Sequence, residues 1–274
     1  FRSLLKGFIM KKLTAILALS TCSIHALAFN DFAQDRLVNK TTITAGFSTL
    51  SSDTKYSNPA YENDSSNSDS TFVSATHLLE IDKDKNIGFG FAIDSSSSDG
   101  ETEQSTVIAA TLGKNNNDGH AAYSFTGVYA VGDSDQDDAL LVSFSKQLNL
   151  STDPKVDGEF SLGLTKTINP EDFSGGESLL LSTEGRYKIN DNFRIIVSGG
   201  LSLVRDFTFD SGLTYSVDPG MNVGFSVAYR LLKDVIVDLS YEREEFGGNI
   251  KQGVESVNVD TNYSVIGVDL DIKF

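Results

Sequence analysis

Tryptophan is absent from the 274 residues, and cysteine occurs once, as Cys22. A single cysteine excludes an internal disulfide and any multi-thiolate metal centre. Histidine occurs three times, which leaves few candidates for a general base or a zinc ligand. Basic residues are scarce beside acidic ones, 22 against 38, for a net charge of −16. A polyanion of this kind is a poor partner for nucleic acid, so that class of function is set aside. No long apolar run follows residue 28 and only 39% of residues are hydrophobic, so helical membrane spans are excluded.

The chain does carry a processing signal. Met10-Lys11-Lys12 followed by Leu13–Leu19 forms a basic segment and a short apolar segment, and Ala26-Leu27-Ala28 supplies a small-residue cleavage site. Residues 1–9 are expected to lie upstream of the mature protein, 10–28 to be a secretory signal peptide, and 29–40 to form a short periplasmic N-terminal segment. Cys22 sits in a poor lipoprotein box, with Thr21 before it, and cleavage after Ala28 would remove it. Cleavage would also remove Arg2, Lys6, Lys11 and Lys12, four positive charges, taking −16 to −20.

From residue 41 onward the dominant pattern has a period of two. Ile87, Phe89, Phe91 and Ile93 alternate with Gly88, Gly90 and Ala92. Val223, Phe225, Val227 and Tyr229 alternate with Gly224, Ser226 and Ala228. Successive side chains of a strand point to opposite faces, so each such run reads as a strand with one apolar face. Twelve segments show it: 41–50, 70–81, 86–94, 105–113, 120–131, 139–148, 158–168, 178–189, 193–204, 221–231, 235–244 and 262–274. The phase is ambiguous in two of them, at Leu78-Leu79 and Leu140-Leu141. The connections alternate between short turns and longer stretches rich in Ser, Asp, Asn and Gly.

The last strand ends Ile266, Val268, Leu270, Ile272, Phe274 on one face and Gly267, Asp269, Asp271, Lys273 on the other. It resembles the closing strand of a Gram-negative outer-membrane β-barrel, where a terminal Phe follows alternating apolar residues. That resemblance implies an all-β fold: a transmembrane, antiparallel, up-and-down barrel over residues 41–274. Twelve strands are expected, with ten or fourteen as alternatives. It also implies residence in the outer membrane with both termini periplasmic, contact with outer-membrane lipid and lipopolysaccharide, and delivery to the outer-membrane assembly machinery through the C-terminal strand. With no tryptophan, nine Tyr and eighteen Phe must supply the aromatic belts. A soluble β-sandwich would share the alternation, but it requires neither the parity of connection lengths nor a terminal Phe.

The excess charge falls on the six longer connections, which hold 21 acids against Lys55, Arg205 and Lys251. Among the acids are Glu101, Glu103, Asp133, Asp135, Asp137 and Asp138, expected on the outer rim. A solvated rim is the simplest reading; a cation-attracting vestibule and loose divalent cations bridging to lipopolysaccharide are the sharper ones. The run 133–138 lacks the glycine and the final glutamate of a calcium loop, so no dedicated metal site and no cofactor is expected. Charged residues within the strands must avoid lipid, which assigns Arg186, Arg194, Arg230, Asp238, Glu242 and Asp269 to the lumen.

Enzymatic barrels need a Ser–His pair with an orienting group, or paired Asp with His. His77 falls in mid-strand and His120 beside a turn, away from any such constellation, so the chain is expected not to be an enzyme. Autotransporter translocators need an upstream passenger, for which residues 29–40 leave no room, and a solitary barrel of that kind is the least favoured option. The leading expectation is a small porin-like channel for passive diffusion of ions or small polar solutes with cation preference. A non-conducting barrel that acts through acidic surface loops is the alternative.

Overall fold

Alternating faces demand a partner for each strand edge, and in lipid every backbone N–H and C=O must be paired inside the protein. The chain meets both demands by closing its sheet. The computed structural model describes residues 40–59, 63–82, 85–98, 101–115, 122–131, 138–148, 155–168, 173–253 and 255–274. The expected leader, its cleavage site at Ala26 and Ala28, and residues 29–39 lie outside the described residues.

Twelve long strands form the wall: β1 (Lys40–Tyr56), β2 (Asp64–Asp82), β3 (Lys85–Ser98), β4 (Glu101–Asn115), β5 (Ala122–Val131), β6 (Asp138–Leu148), β7 (Val156–Ile168), β9 (Ser178–Asn190), β10 (Phe193–Val204), β13 (Gly220–Leu232), β14 (Val235–Gln252) and β15 (Glu255–Lys273). Three short ones, β8 (Phe173–Ser174), β11 (Phe207–Phe209) and β12 (Thr214–Val217), are added at one end. Each long strand pairs antiparallel with its neighbours, and the ring closes where β1 pairs β15 from Thr42↔Lys273 to Tyr56↔Val259. Phe274 completes the seam, its amide donating to the Thr41 carbonyl at 2.8 Å. Full closure leaves the long strands no free edge. The result is a closed, twelve-stranded, antiparallel barrel of the outer-membrane type.

Register settles which face is which. Phe47, Val73, Phe91, Leu112, Phe125, Leu164, Val197, Phe225, Leu239 and Val268 are all exposed on the outside. The opposite phase carries Gly, Ala, Ser, Thr and the charged residues. Apolar side chains outside and polar ones inside invert the usual globular arrangement, and that inversion is what a lipid surround requires. The apolar outer belt has a limited height on each strand. On β14 it runs through Val237, Leu239 and Tyr241, then gives way to Arg243 and Glu245, which form an ion pair. Register shifts at Phe193/Arg194, Arg230/Leu232 and Glu80/Asp82 lie beside short connections, marking one end as the turn end.

Strand existence and phase match the periodicity, including both segments with paired leucines. His77 and Leu79 take the outer phase on β2, and Leu141 the inner phase on β6, where it is buried. The boundaries differ at the other end, here the tall end. Residues 51–56, 64–69, 95–98, 101–104, 245–252 and 255–261 were expected in loops, yet they continue β1, β2, β3, β4, β14 and β15. Above the lipid belt the outer face of a strand meets water instead of lipid, so the apolar outer residues stop while the ladder persists. Thr54↔Thr261 and Ser52↔Ser66 are hydroxyl pairs within this polar upper wall, at 3.3 and 2.8 Å.

Candidate functional site: the inner wall

The inner wall divides into two unequal arcs. Along β1–β6, at the depth of the lipid belt, the inward positions include Thr44, Gly46, Ser74, Thr76, Gly88, Gly90, Thr111, Thr126, Ser143 and Ser145, together with a buried apolar group of Ala92, Val107, Ala109, Val128, Ala130 and Leu141. None of these is charged. Their hydroxyls bond across the strands, as in Thr111–Thr126 at 2.8 Å. Phe72 is the largest of the inward side chains here. Its ring lies over Gly46, between β2 and β15, where a Cβ at Gly46 would collide with both that ring and the Asp269 carboxylate.

The arc β7–β15 is charged, and mostly towards the turn end. Arg186 on β9 is 7% exposed and is enclosed by three carboxylates. Its Nε donates to Glu184, Nη1 to Asp157 at 3.4 Å and Nη2 to Glu159 at 3.2 Å. β7 supplies Asp157 and Glu159 through the register Asp157↔Arg186 and Glu159↔Glu184, so all four groups share one face and one level. A guanidinium buried with three acids satisfies its fork of donors and leaves the cluster net negative. Arg194, buried on β10, lies across from Lys188 of β9 and Ala228 of β13; Arg230 follows two positions along β13. Asp238, Asp269 and Asp271 face this row from β14 and β15. Thr44 donates to Asp271 at 2.5 Å and Ser226 to Asp238 at 3.5 Å.

Higher on β14, Glu242 and Glu244 occupy consecutive inward positions. Asn222 donates to Glu242 at 3.1 Å and Ser202 to Glu244 at 3.3 Å; Glu244 is buried. Outside the belt, in the turn after β9, the hydrogen bond and charge of Lys188 hold the Asp191 carboxyl below its ordinary value, across a 3.0 Å ion pair.

Arg186, Arg194, Arg230, Asp238, Glu242 and Asp269 therefore all stand on the inner phase of the same arc. Asp133, Asp135 and Asp137 lie outside the described residues, and so do the side chains of Glu101 and Glu103. Asp138 opens β6 and accepts the Tyr129 hydroxyl at 2.5 Å. In the closing strand Ile266, Val268, Leu270 and Phe274 are exposed on the outer face, and Ile272 shares their phase. His77 faces outward at the turn end, hydrogen-bonded to Thr41 at 2.9 Å rather than placed in the lumen. Among the described residues no three His, Cys, Asp or Glu side chains converge as a metal site.

Sequence reasoning missed the Arg186 cluster because it began the seventh strand at residue 158, leaving Asp157 in a turn. The alternation Asp157, Glu159, Ser161, Gly163 was the signal that would have found it.

No family model matches the chain, and no curated protein matches it. Solved structures do. The COG4313 outer membrane channel from Pseudomonas putida F1 is similar with a TM-score of 0.69 at 11% identity, over 86% of this chain and 96% of that one. A FadL homologue from Pseudomonas aeruginosa is similar with a TM-score of 0.55 at 8% identity, over 89% and 93%. At these identities the likeness is one of fold.

Proposed function

We propose that this barrel is a small outer-membrane channel through which ions or small polar solutes diffuse passively, with a preference for cations. The observation that carries the reading is the division of the inner wall. A salt-bridged, net-acidic arc faces an arc of mostly small side chains, Gly, Ala, Ser and Thr with Val107, Val128 and Leu141, whose described charge is Asp94, so the acids meet no second layer of ion pairs there. Fixed carboxylates on a wall surrounded by lipid focus a potential that concentrates cations and repels anions. A solved outer membrane channel with the same fold supports transport as the class of function. The turn end is then periplasmic and the tall polar end extracellular, with lipid around the belt and lipopolysaccharide around the upper wall. No catalytic role is assigned to any residue.

The test is single-channel conductance of the refolded chain in a planar bilayer under a salt gradient. Stable steps with a cation-selective reversal potential are expected. Replacing Glu242 and Asp269 by Lys should move that potential towards the anion side. A folded, heat-modifiable barrel that inserts and never conducts refutes the channel. The polar walls standing above the belt would then favour the second reading, a non-conducting barrel acting through its outer surface.

A further inference from the structure

Three wall strands break at one level. β9 is preceded by Gly175, Gly176 and Glu177, β10 is followed by Arg205 and Asp206, and β13 is preceded by Asp218 and Pro219. Beyond these breaks the chain resumes pairing as β8, β11 and β12, with Phe173↔Phe209, Phe207↔Tyr215 and Tyr215↔Ile250 in register. Gly175 and Gly176 have φ of 94° and 77°. Side chains there would be strained, and they would also strike the Asp206 carbonyl and the Phe207 ring. The bend is therefore written into the sequence.

The two faces of this extension differ in kind. Ser174 and Thr208 are exposed on one face, where Ser216 also donates to Asp206 at 2.9 Å. The other face carries Phe173, Phe207, Phe209 and Tyr215, joined by Leu213. These pack as a single apolar cluster with Ile250 of β14 and Val259 of β15, against which Tyr56 of β1 and Val204 of β10 also pack. Ile250, Val259, Tyr56 and Val204 all have the inward phase. β8 and β1 stand at opposite ends of the row β8-β11-β12-β14-β15-β1, yet residues of both belong to one cluster. That row must curl over the lumen side of the mouth. Phe207 is 3% exposed and Tyr215 2%, so the cluster holds no passage.

We infer that the β8–β11–β12 extension is a roof that seals the mouth above β9, β10 and β13 and, among the described residues, leaves entry to the side of β2–β6. The roof stands on packing and does not depend on whether the barrel conducts. If it does conduct, solutes reach the charged arc only after crossing the mostly uncharged one.

Two inward serines near the upper edge of the apolar belt test this. Ser202 on β10 lies two residues below Val204, beneath the roof, and Ser105 on β4 lies on the open side. In the full chain carrying Cys22→Ser, Ser105→Cys and Ser202→Cys would each be labelled with a polyethylene-glycol maleimide in folded, micelle-held barrels. Labelling at Ser105→Cys is expected to be roughly tenfold or more faster, because a covered thiol reacts only when the cover opens. Replacing 206–218 by a Gly-Ser turn should bring the two rates together. Should that chain fail to fold, Phe207→Ser with Tyr215→Ser would disrupt the cluster at unchanged length. Equal rates at the two cysteines in a folded barrel with an intact roof overturn the inference. Slow labelling at Ser202→Cys in a barrel that never conducts would sustain the roof while refuting the channel.

Discussion

The two arcs of the inner wall are built by the same strand geometry and differ only in what fills alternate positions. On β1–β6 the inward residues are mostly short and, Asp94 apart, uncharged at belt depth; on β7–β15 they include long charged chains held by one another. A barrel of fixed circumference must share its interior between opposite walls. Small residues on one arc are therefore the counterpart of long ones on the other. Comparing the arcs shows that interior charge is distributed unevenly around the ring as well as along its axis.

The comparison can be broken most sharply at Arg186. Arg186→Met would leave Asp157, Glu159 and Glu184 facing each other in a confined space. Removing one partner of a buried ionic group costs about 3–5 kcal/mol. A clear fall in the denaturant midpoint is expected, with Ser143→Met on the other arc near neutral. An equal effect from both substitutions would abolish the distinction between arcs.

The contrast between faces comes next. Leu239→Arg at the outer belt should lower stability by roughly 2–4 kcal/mol, whereas Ser240→Arg, its inward neighbour, should cost much less. Folding titrations into lipid would read both, and similar penalties would contradict the assigned phase. A change in function rather than stability is expected from Glu242→Gln with Glu244→Gln. Cation selectivity should weaken while the heat-modifiable mobility of the barrel is kept, and an unmoved reversal potential would relocate the selectivity elsewhere.

The smallest effect belongs to Asp191→Asn, outside both arcs. Its folded carboxyl lies below the ordinary range, so the ion pair with Lys188 favours the native state above that range and is lost as pH falls through the folded value. The exposed site makes the expected shift in midpoint barely detectable at neutral pH and absent in strong acid. A larger loss in acid than at neutrality would reverse the sign of that argument.

The sequence revealed the barrel because a lipid-facing belt forces alternation, and the alternation is visible wherever the belt exists. Strand β10 was read as residues 193–204 and is Phe193–Val204; β14 was read to Glu244 and runs to Gln252. The missing part lies above the lipid, where Asn249, Lys251, Ser256 and Asn258 meet water on the outer face. Composition there resembles a loop, but Asn249↔Asn258 and Lys251↔Ser256 remain in register. The inward phase of the six charged residues was legible for the same reason as the belt: lipid forbids the alternative. The roof was not. Phe207, Phe209, Leu213 and Tyr215 lie in a stretch with Asp206, Asp210, Gly212 and Asp218, whose turn-forming residues mask a two-stranded apolar face. Its partners, Ile250 and Val259, come from strands read as ending before them.

The β1–β15 seam also bears on how the barrel is made. The strand that leaves the ribosome earliest among those described finds one of its two partners in the strand that leaves last. Until then β1 carries a bare row of amides and carbonyls, and the contacts that fasten it have the widest sequence separation in the described chain. Loop-closure entropy of that size makes the final step slow and all-or-none, so a chain stalled before β15 would hold eleven wall strands with two open edges rather than a slightly smaller barrel. An open sheet of that kind is an invitation to pair with another copy, and the timing of the last strand is therefore the point at which assembly and aggregation part company.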